Sequence, residues 1–342
     1  MRAVSHRSLW RASLVAVMAL VGLGFPTQAF AHVKWFAAFN VAGAPRNLAD
    51  VLSPSFWALN AIAVAVLWAA CVVERTAIGA ALLQTIDRVT DGLRPRTDDI
   101  LRGCGCVFFT ALWVLGSAIL TPELKTASPA IPWLQAAIAV GLFWRRTMVL
   151  SGIGIVVLYG IAVSAYGPFH LMDYPIFLGL AAYFILSGLD WAPFGWDRLD
   201  VVRWGAGITL CWASVEKWAY PQWTYPLLQQ HPRLAMGWDP SFYMTAAGVI
   251  EFGLALGLLW TPLVRRLSAI LLGAMFVSAV IEFGKIDAIG HLMIIAILMV
   301  VAADGRKTLL RSPTLAVGAY AVALTASIAA YYGFHAVFFG HS

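Results

Sequence analysis

Between two long apolar runs, the stretch IEFGKIDAIGHL at residues 281–292 carries Glu282, Lys285, Asp287 and His291 within about three helical turns. A carboxylate four residues before an imidazole stands one turn below it on a helix, and such a carboxylate can fix the tautomer of the imidazole. His291 could then hydrogen-bond a ring carbonyl while Asp287 holds it. Two further groups belong with this stretch. Glu216 and Lys217 lie in VEKW, about one turn from the end of an apolar run, and Glu251 falls near the middle of another. An ionised carboxylate at mid-membrane costs about 2.5 to 3.5 kcal/mol by insertion scales, so Glu251 is expected to face other helices, either protonated or paired with Lys217 or His291. A plainer reading also fits part of the set: Lys217 and Lys285, both near helix ends, would serve as snorkelling side chains that set helix depth.

The elements that must position these groups are membrane helices. The chain of 342 residues is 61% hydrophobic and 12% charged, with a mean hydropathy of +0.79, well above the roughly 45 to 50% apolar share of soluble domains. The net charge of +6 sits in short loops and not in the clustered basic patch that nucleic acid requires, which excludes nucleic acid as a partner. Cys71, Cys104, Cys106 and Cys211 lie in or beside apolar runs, against a secreted disulfide framework. The GCGC pair Cys104 and Cys106 does not complete a zinc ligand set.

The start carries Arg2, Arg7 and Arg11, then a short apolar core at 12–24 and the small-x-small triplet Ala29, Phe30, Ala31. That is the pattern of a cleaved signal peptide, with an uncleaved anchor as the alternative. Beyond it, apolar stretches run over 54–73, 103–121, 131–144, 147–165, 175–189, 201–220, 241–260, 267–283, 286–303 and 314–334. The expected fold is an all-α polytopic membrane protein of about ten transmembrane helices, since lipid satisfies no backbone group. Arg75, Arg88, Arg94, Arg96, Arg102, Arg145, Arg146, Arg198, Arg203, Arg265, Arg266, Arg306, Lys307 and Arg311 then share one side. By the positive-inside rule that side is cytoplasmic, and both mature termini face the periplasm of a bacterial inner membrane. Trp191, Trp196, Trp204, Trp212, Trp218, Trp223 and Trp238 read mostly as an interfacial belt.

The string WLQAAIAVGLFW at 133–144 aligns without a gap on VIEFGLALGLLW at 249–260. Each copy is followed by an arginine pair, another apolar run and an HLM, at His170 and His291, and each follows an Arg-led helix from Arg102 or Arg203. The reading is two tandem four-helix units in the same orientation, one plan known for membrane proteins. The chain accordingly divides into a leader at 1–31, a periplasmic segment, first span and cytoplasmic loop at 32–101, a first unit at 102–200, a second at 201–305 and a last span with a periplasmic C-terminus at 306–342. Gln135 stands opposite Glu251, so the second unit is expected to carry the site and the first to support it.

VVRWGAGITLCWASVEKWAYPQW, AAGVIEFGLALGLLWTPLVRRLSAILL and FGKIDAIGHLMIIAILMVV resemble the DoxX-like membrane proteins. The likeness covers about 201–305, with a degenerate copy at about 102–189. The family is a four-helix bundle named after a subunit of a thiosulfate:quinone oxidoreductase, and most members have no assigned activity. The resemblance implies a redox-linked membrane role, with redox-enzyme subunits as partners beside the lipid bilayer. The exported start, the extra copy and the tenth span depart from the family pattern.

Three functions are compatible with these residues. In the first, Glu216, Lys217, Glu251, Glu282, Lys285, Asp287 and His291 line a pocket that binds a quinone or passes protons for a partner enzyme; with no haem ligand pair, flavin motif or P-loop visible, the chain reads as an accessory subunit more than a stand-alone enzyme. In the second, Glu251 is the carrier of a proton-coupled transporter of a small solute or metal ion, the two units rocking about the axis between them. In the third, cleavage exposes His32 as a residue whose amino group and imidazole hold copper with His231, His335 or His341, nitrogen donors that copper favours. HVKWF would then be an interfacial lead-in held by Trp35 and Phe36.

Overall fold

The computed structural model describes residues 33–192, 197–235, 237–306 and 312–340. The expected leader at 1–31, together with His32, Trp196, Lys307, Arg311 and His341, lies outside them. The described residues form fifteen α-helices. In chain order these are α1 (Val33–Phe36), α2 (Leu48–Val51), α3 (Pro54–Val73), α4 (Ala77–Thr90), α5 (Thr97–Leu115), α6 (Ala130–Gly141), α7 (Met148–Tyr166), α8 (Pro168–Leu171), α9 (Pro175–Gly188), α10 (Arg198–Ala219), α11 (Tyr225–Gln230), α12 (Pro240–Gly257), α13 (Pro262–Phe283), α14 (Lys285–Ala303) and α15 (Pro313–Phe339).

Several starts are written in the sequence. Ser53, Asp239 and Ser312 accept backbone N–H bonds as N-caps, each followed by a proline, a residue whose fixed φ and missing N–H suit the first turn. Asp197 and Asp200 form a reciprocal capping box at the start of α10. Five helices, α3, α7 with the turn before it, α13, α14 and α15, are long and apolar enough to cross a membrane, which makes this a multi-pass membrane protein. About ten were expected. The remaining apolar stretches are also helical, but α6 and α9 have 12 and 14 residues, short of the roughly 20 that a full crossing takes, and α5 and α10 open on charged turns. Exposed Trp57, Ile62, Val66 and Trp68 on α3, and Val322 and Val337 on α15, are surface that lipid would cover.

Two boundaries differ from the sequence reading. The helix expected to reach residue 121 stops at Leu115, because Gly116 adopts φ +67° and caps it. The following segment folds back under the bundle, with Ile119 N–H donating to Leu124 O at 2.7 Å. Gln135 pins this segment by donating from Nε2 to Ala118 O at 2.7 Å and Ile119 O at 2.8 Å. The stretch between the first two spans was read as a loop, yet it contains α4, which packs on α13 and α14. Arg266 holds α4 there, donating to Asp87 at 2.7 Å, Thr90 Oγ1 at 2.9 Å and Ala302 O at 2.7 Å. Burial is the largest single influence on the Asp87 carboxyl and pushes it up, but Arg266 and Arg94 together outweigh it and hold the group below the usual carboxylate range.

Helices α5, α6, α7 and α9 pack in succession as one bundle, and α10, α12, α13 and α14 as a second. The bundles meet twice, α9 on α10 and α5 on α14, so the last helix of each touches the first helix of the other. At the α9–α10 seam Gly179 faces Gly205; a Cβ on Gly179 would stand 2.6 Å from Val201 O, so the missing side chains let the two backbones touch. Aligned positions behave alike: a Cβ on Gly141 would stand 2.3 Å from Ser151 Oγ, and one on Gly257 2.1 Å from Ser268 Oγ. Helices α3 and α15 lie together against the second bundle, joined by Tyr320 O–H donating to Asn60 Oδ1 at 2.7 Å.

One end of the molecule is a mesh of arginines on helix ends. Arg102 donates to Leu142 O at 3.0 Å and Phe143 O at 2.5 Å, Arg94 to Ala303 O at 2.7 Å and Arg265 to Asp304 O at 2.9 Å. Carbonyls of a last helical turn have no partner within the helix, and guanidinium groups supply one. At the opposite end, Arg46 N–H donates to Ala219 O at 2.8 Å and Tyr332 O–H to Arg46 O at 2.7 Å.

Candidate functional site

The predicted charged residues separate into four arrangements. Glu216 and Lys217, neighbours on α10, turn to different partners. Lys217 Nζ stands 3.0 Å from Glu251 on α12, which gives the buried mid-helix carboxylate one of its two expected cations. Glu216 instead meets Lys34 Nζ at 2.6 Å. Asp287 and His291 occupy the first turns of α14, Nδ1 to Oδ2 2.9 Å, both buried. Glu282 points elsewhere: it ends α13 before the turn at Gly284, φ +81°, and reaches His231 Nδ1 at 2.8 Å. Lys285 opens α14.

Five of the seven line one cavity of about 400 Å³: Glu216, Lys217, Glu251, Asp287 and His291. Glu282 and Lys285 are not among its lining residues. The walls come from α9, α10, α12, α13 and α14, so the cavity lies between the two bundles, and Ile176, Phe177, Leu210, Met244, Phe276 and Met293 make them largely apolar. The size is that of small-ligand cavities, about 300 to 1,000 Å³. Asp287 is 0% exposed, and neither of its oxygens accepts a hydrogen bond among the described residues. His291 is held between Trp35 and Phe276, with ring centroids 5.0 and 4.8 Å away. A Cβ on Gly290 would stand 1.8 Å from Trp35, so α14 carries glycine where the indole lies against it.

Trp35 and Lys34 belong to α1, read from the sequence as an interfacial lead-in. The segment instead enters the protein. Lys34 is buried and forms ion pairs with both Asp173 and Glu216, with Trp223 5.5 Å and Phe39 5.7 Å from its nitrogen on their ring faces. Burial alone would lower its pKa; Asp173, Glu216 and Glu123 outweigh that and hold it above the ordinary lysine value. Asp173 is pushed up from the usual carboxylate range by burial, against the pull of Lys34. Beside this pair, His170 Nε2 is 2.8 Å from Glu123 Oε1, which also accepts the Tyr174 hydroxyl.

The first bundle thus supplies Glu123, His170 and Asp173, where only structural support was expected of it. One signal for them was present, because His170 heads the same HLM as His291. Glu123 and Asp173 read singly as loop residues, and only the fold-back after Gly116 brings the first under the bundle.

Of the residues expected to hold copper, His32 and His341 lie outside the described residues. His231 is engaged by Glu282, and His335 donates to Gly43 O at 3.0 Å. Cys104 and Cys106 are free and pack beside the first bundle's core. A second cavity, about 930 Å³, lies at the arginine end of the same seam, lined among others by Arg94, Asp98, Arg145, Tyr183, Asp304 and Arg306.

No protein-family model, curated protein or solved structure matches the chain. Chemically, the cavity between the bundles offers apolar and aromatic walls, one carboxylate placed to accept an O–H donor, and an imidazole beside it.

Removing a single partner from a buried ion pair costs about 3 to 5 kcal/mol because the other charge is stranded. Lys34→Met is therefore expected to lower the thermal midpoint of the detergent-purified protein strongly, and the triple variant Lys34→Met, Asp173→Asn, Glu216→Gln to recover most of it. An unchanged midpoint in Lys34→Met would place Lys34 outside the core.

Proposed function

We propose that the protein is a DoxX-like subunit of the bacterial inner membrane that holds a quinone-type ring between its two four-helix units and exchanges protons with it. The observation that carries this reading is the cavity itself: a largely apolar chamber whose polar lining includes a buried carboxylate, neither oxygen of which accepts a hydrogen bond from the described residues, and an imidazole whose Nδ1 stands 2.9 Å from it. A quinone needs flat apolar surfaces for its ring and a donor or acceptor at each ring oxygen. Trp35, Phe177 and Phe276 supply the former. His291 donates to a ring carbonyl, and Asp287 accepts from a ring hydroxyl. The Lys217–Glu251 pair cancels two charges that would otherwise repel an apolar ligand. The resemblance to redox-linked membrane subunits assigns the electrons to a partner enzyme, with this chain as its membrane anchor and ring site. The arginine end faces the cytoplasm by the positive-inside rule, which puts the ring near the periplasmic face.

Quinone extracted from protein purified out of native membranes measures this directly. The wild type is expected to carry stoichiometric quinone. His291→Ala and Asp287→Asn should each retain about a tenth or less, a loss of one good polar contact, and Glu282→Gln, outside the cavity, should retain all of it. A quinone-free wild type, or equal quinone in all four proteins, would sink the assignment.

A second reading, proton-coupled transport, is favoured by the two cavities at opposite ends of one seam, with Glu251 as the carrier. It requires solute uptake by proteoliposomes under a proton gradient that vanishes in Glu251→Gln. No flux with any candidate solute or ion would count against it.

A further inference from the structure

The cluster next to the quinone cavity has a chemistry of its own. We propose that Glu123, His170 and Asp173 form a binding site for a divalent transition-metal ion of the zinc class, a site independent of the ring-binding reading. The three side chains come from separate places in the first unit: the folded-back segment after α5, the short helix α8 and the connection from α8 to α9. One donor atom from each lies within 4.8 Å of the others, and all three residues are buried. Ligands about 2.0 to 2.2 Å from zinc stand somewhat over 3 Å apart, so a shift of an ångström or so completes the set. One imidazole with two carboxylates, leaving a further position open, is a donor set that zinc, manganese and iron accept.

Glu123, Asp173 and Glu216 bring three carboxylates to one buried place, where Lys34 is ion-paired to Asp173 and Glu216, and a cation is favoured among carboxylates in a setting where charge is costly to bury. The polar shell is laid out for such an ion. Lys34 takes Asp173 Oδ2, while Oδ1, buried in a residue only 8% exposed, accepts no hydrogen bond among the described residues. Tyr174 donates to Glu123 Oε1, and the rings of Phe39 and Tyr166 pack edge-on against His170 at 5.5 and 5.6 Å. Outer contacts of this kind orient metal ligands.

Cobalt(II) is the probe, because its visible ligand-field bands report a low-symmetry nitrogen and oxygen site directly. The full chain, purified in detergent and stripped with a chelator, is titrated with Co²⁺ and then competed with Zn²⁺. The expected result is one Co²⁺ per chain with visible bands that Zn²⁺ abolishes, and at least about a hundredfold weaker binding in both His170→Ala and Asp173→Asn, beyond what loss of an outer contact costs. His291→Ala should bind Co²⁺ as the wild type does, which separates this site from the quinone cavity. If both ligand variants fail to fold, X-ray absorption on wild-type protein decides: one imidazole in an otherwise oxygen shell supports the site. A shell without imidazole, no saturable Co²⁺ uptake by the wild type, or full binding in a folded His170→Ala protein would overturn the proposal.

Discussion

A lysine ammonium enclosed with three carboxylates away from water governs how this molecule is put together. Each of these ions alone would cost several kcal/mol to bury, so the groups are tolerable only together. Their places in the chain make the cluster an assembly constraint: Lys34 precedes the first span, Glu123 and Asp173 lie in connections of the first bundle and Glu216 on α10 of the second. Satisfying the ammonium therefore closes the two bundles on one another and draws α1 between them. Trp35 follows Lys34 by one residue and is carried onto His291, so the same contact that joins the units also builds one wall of the cavity.

The opposite end is organised by a different economy. There, guanidinium groups meet terminal helix carbonyls and nearby aspartates, with Arg265 and Arg266 almost wholly buried. These bonds tie α4, α13 and α14 to one another. Charged groups line a cavity at this end, while at the Lys34 end of the seam apolar walls face Asp287, whose oxygens accept no hydrogen bond from the described residues.

Much of the scaffold was legible in the sequence because membrane helices announce themselves locally. Pro54 to Val73 is bounded by a Ser-Pro start and a Glu-Arg stop, and its limits coincide with the observed helix. Where the apolar run continued past Gly116 into Ser-Ala-Ile-Leu, hydropathy hid a turn set by a left-handed glycine. The amphipathic α4 was missed for the opposite reason, since its polar face diluted its apolar one. In the site, cost alone said that a mid-helix carboxylate needs a proton or a cation, with Lys217 and His291 as candidates that depth did not separate; the fold supplies Lys217. The Lys34 cluster was not readable in this way. Lys34 and Asp173 are 139 residues apart, each stands outside the apolar runs, and nothing local tells a buried loop charge from a solvated one. Glu282 failed for a geometric reason, because the Gly284 turn directs it away from the helix face that carries Asp287.

The account centres on a ligand seated between the bundles, against Trp35 and His291. A cryo-EM map of the protein kept in native lipid, without added ligand, tests it most directly. The account predicts a flat non-protein density within the cavity, one edge within hydrogen-bonding reach of Asp287 and His291. A cavity holding only water, or closed by its own side chains while the bundles keep this arrangement, would contradict it.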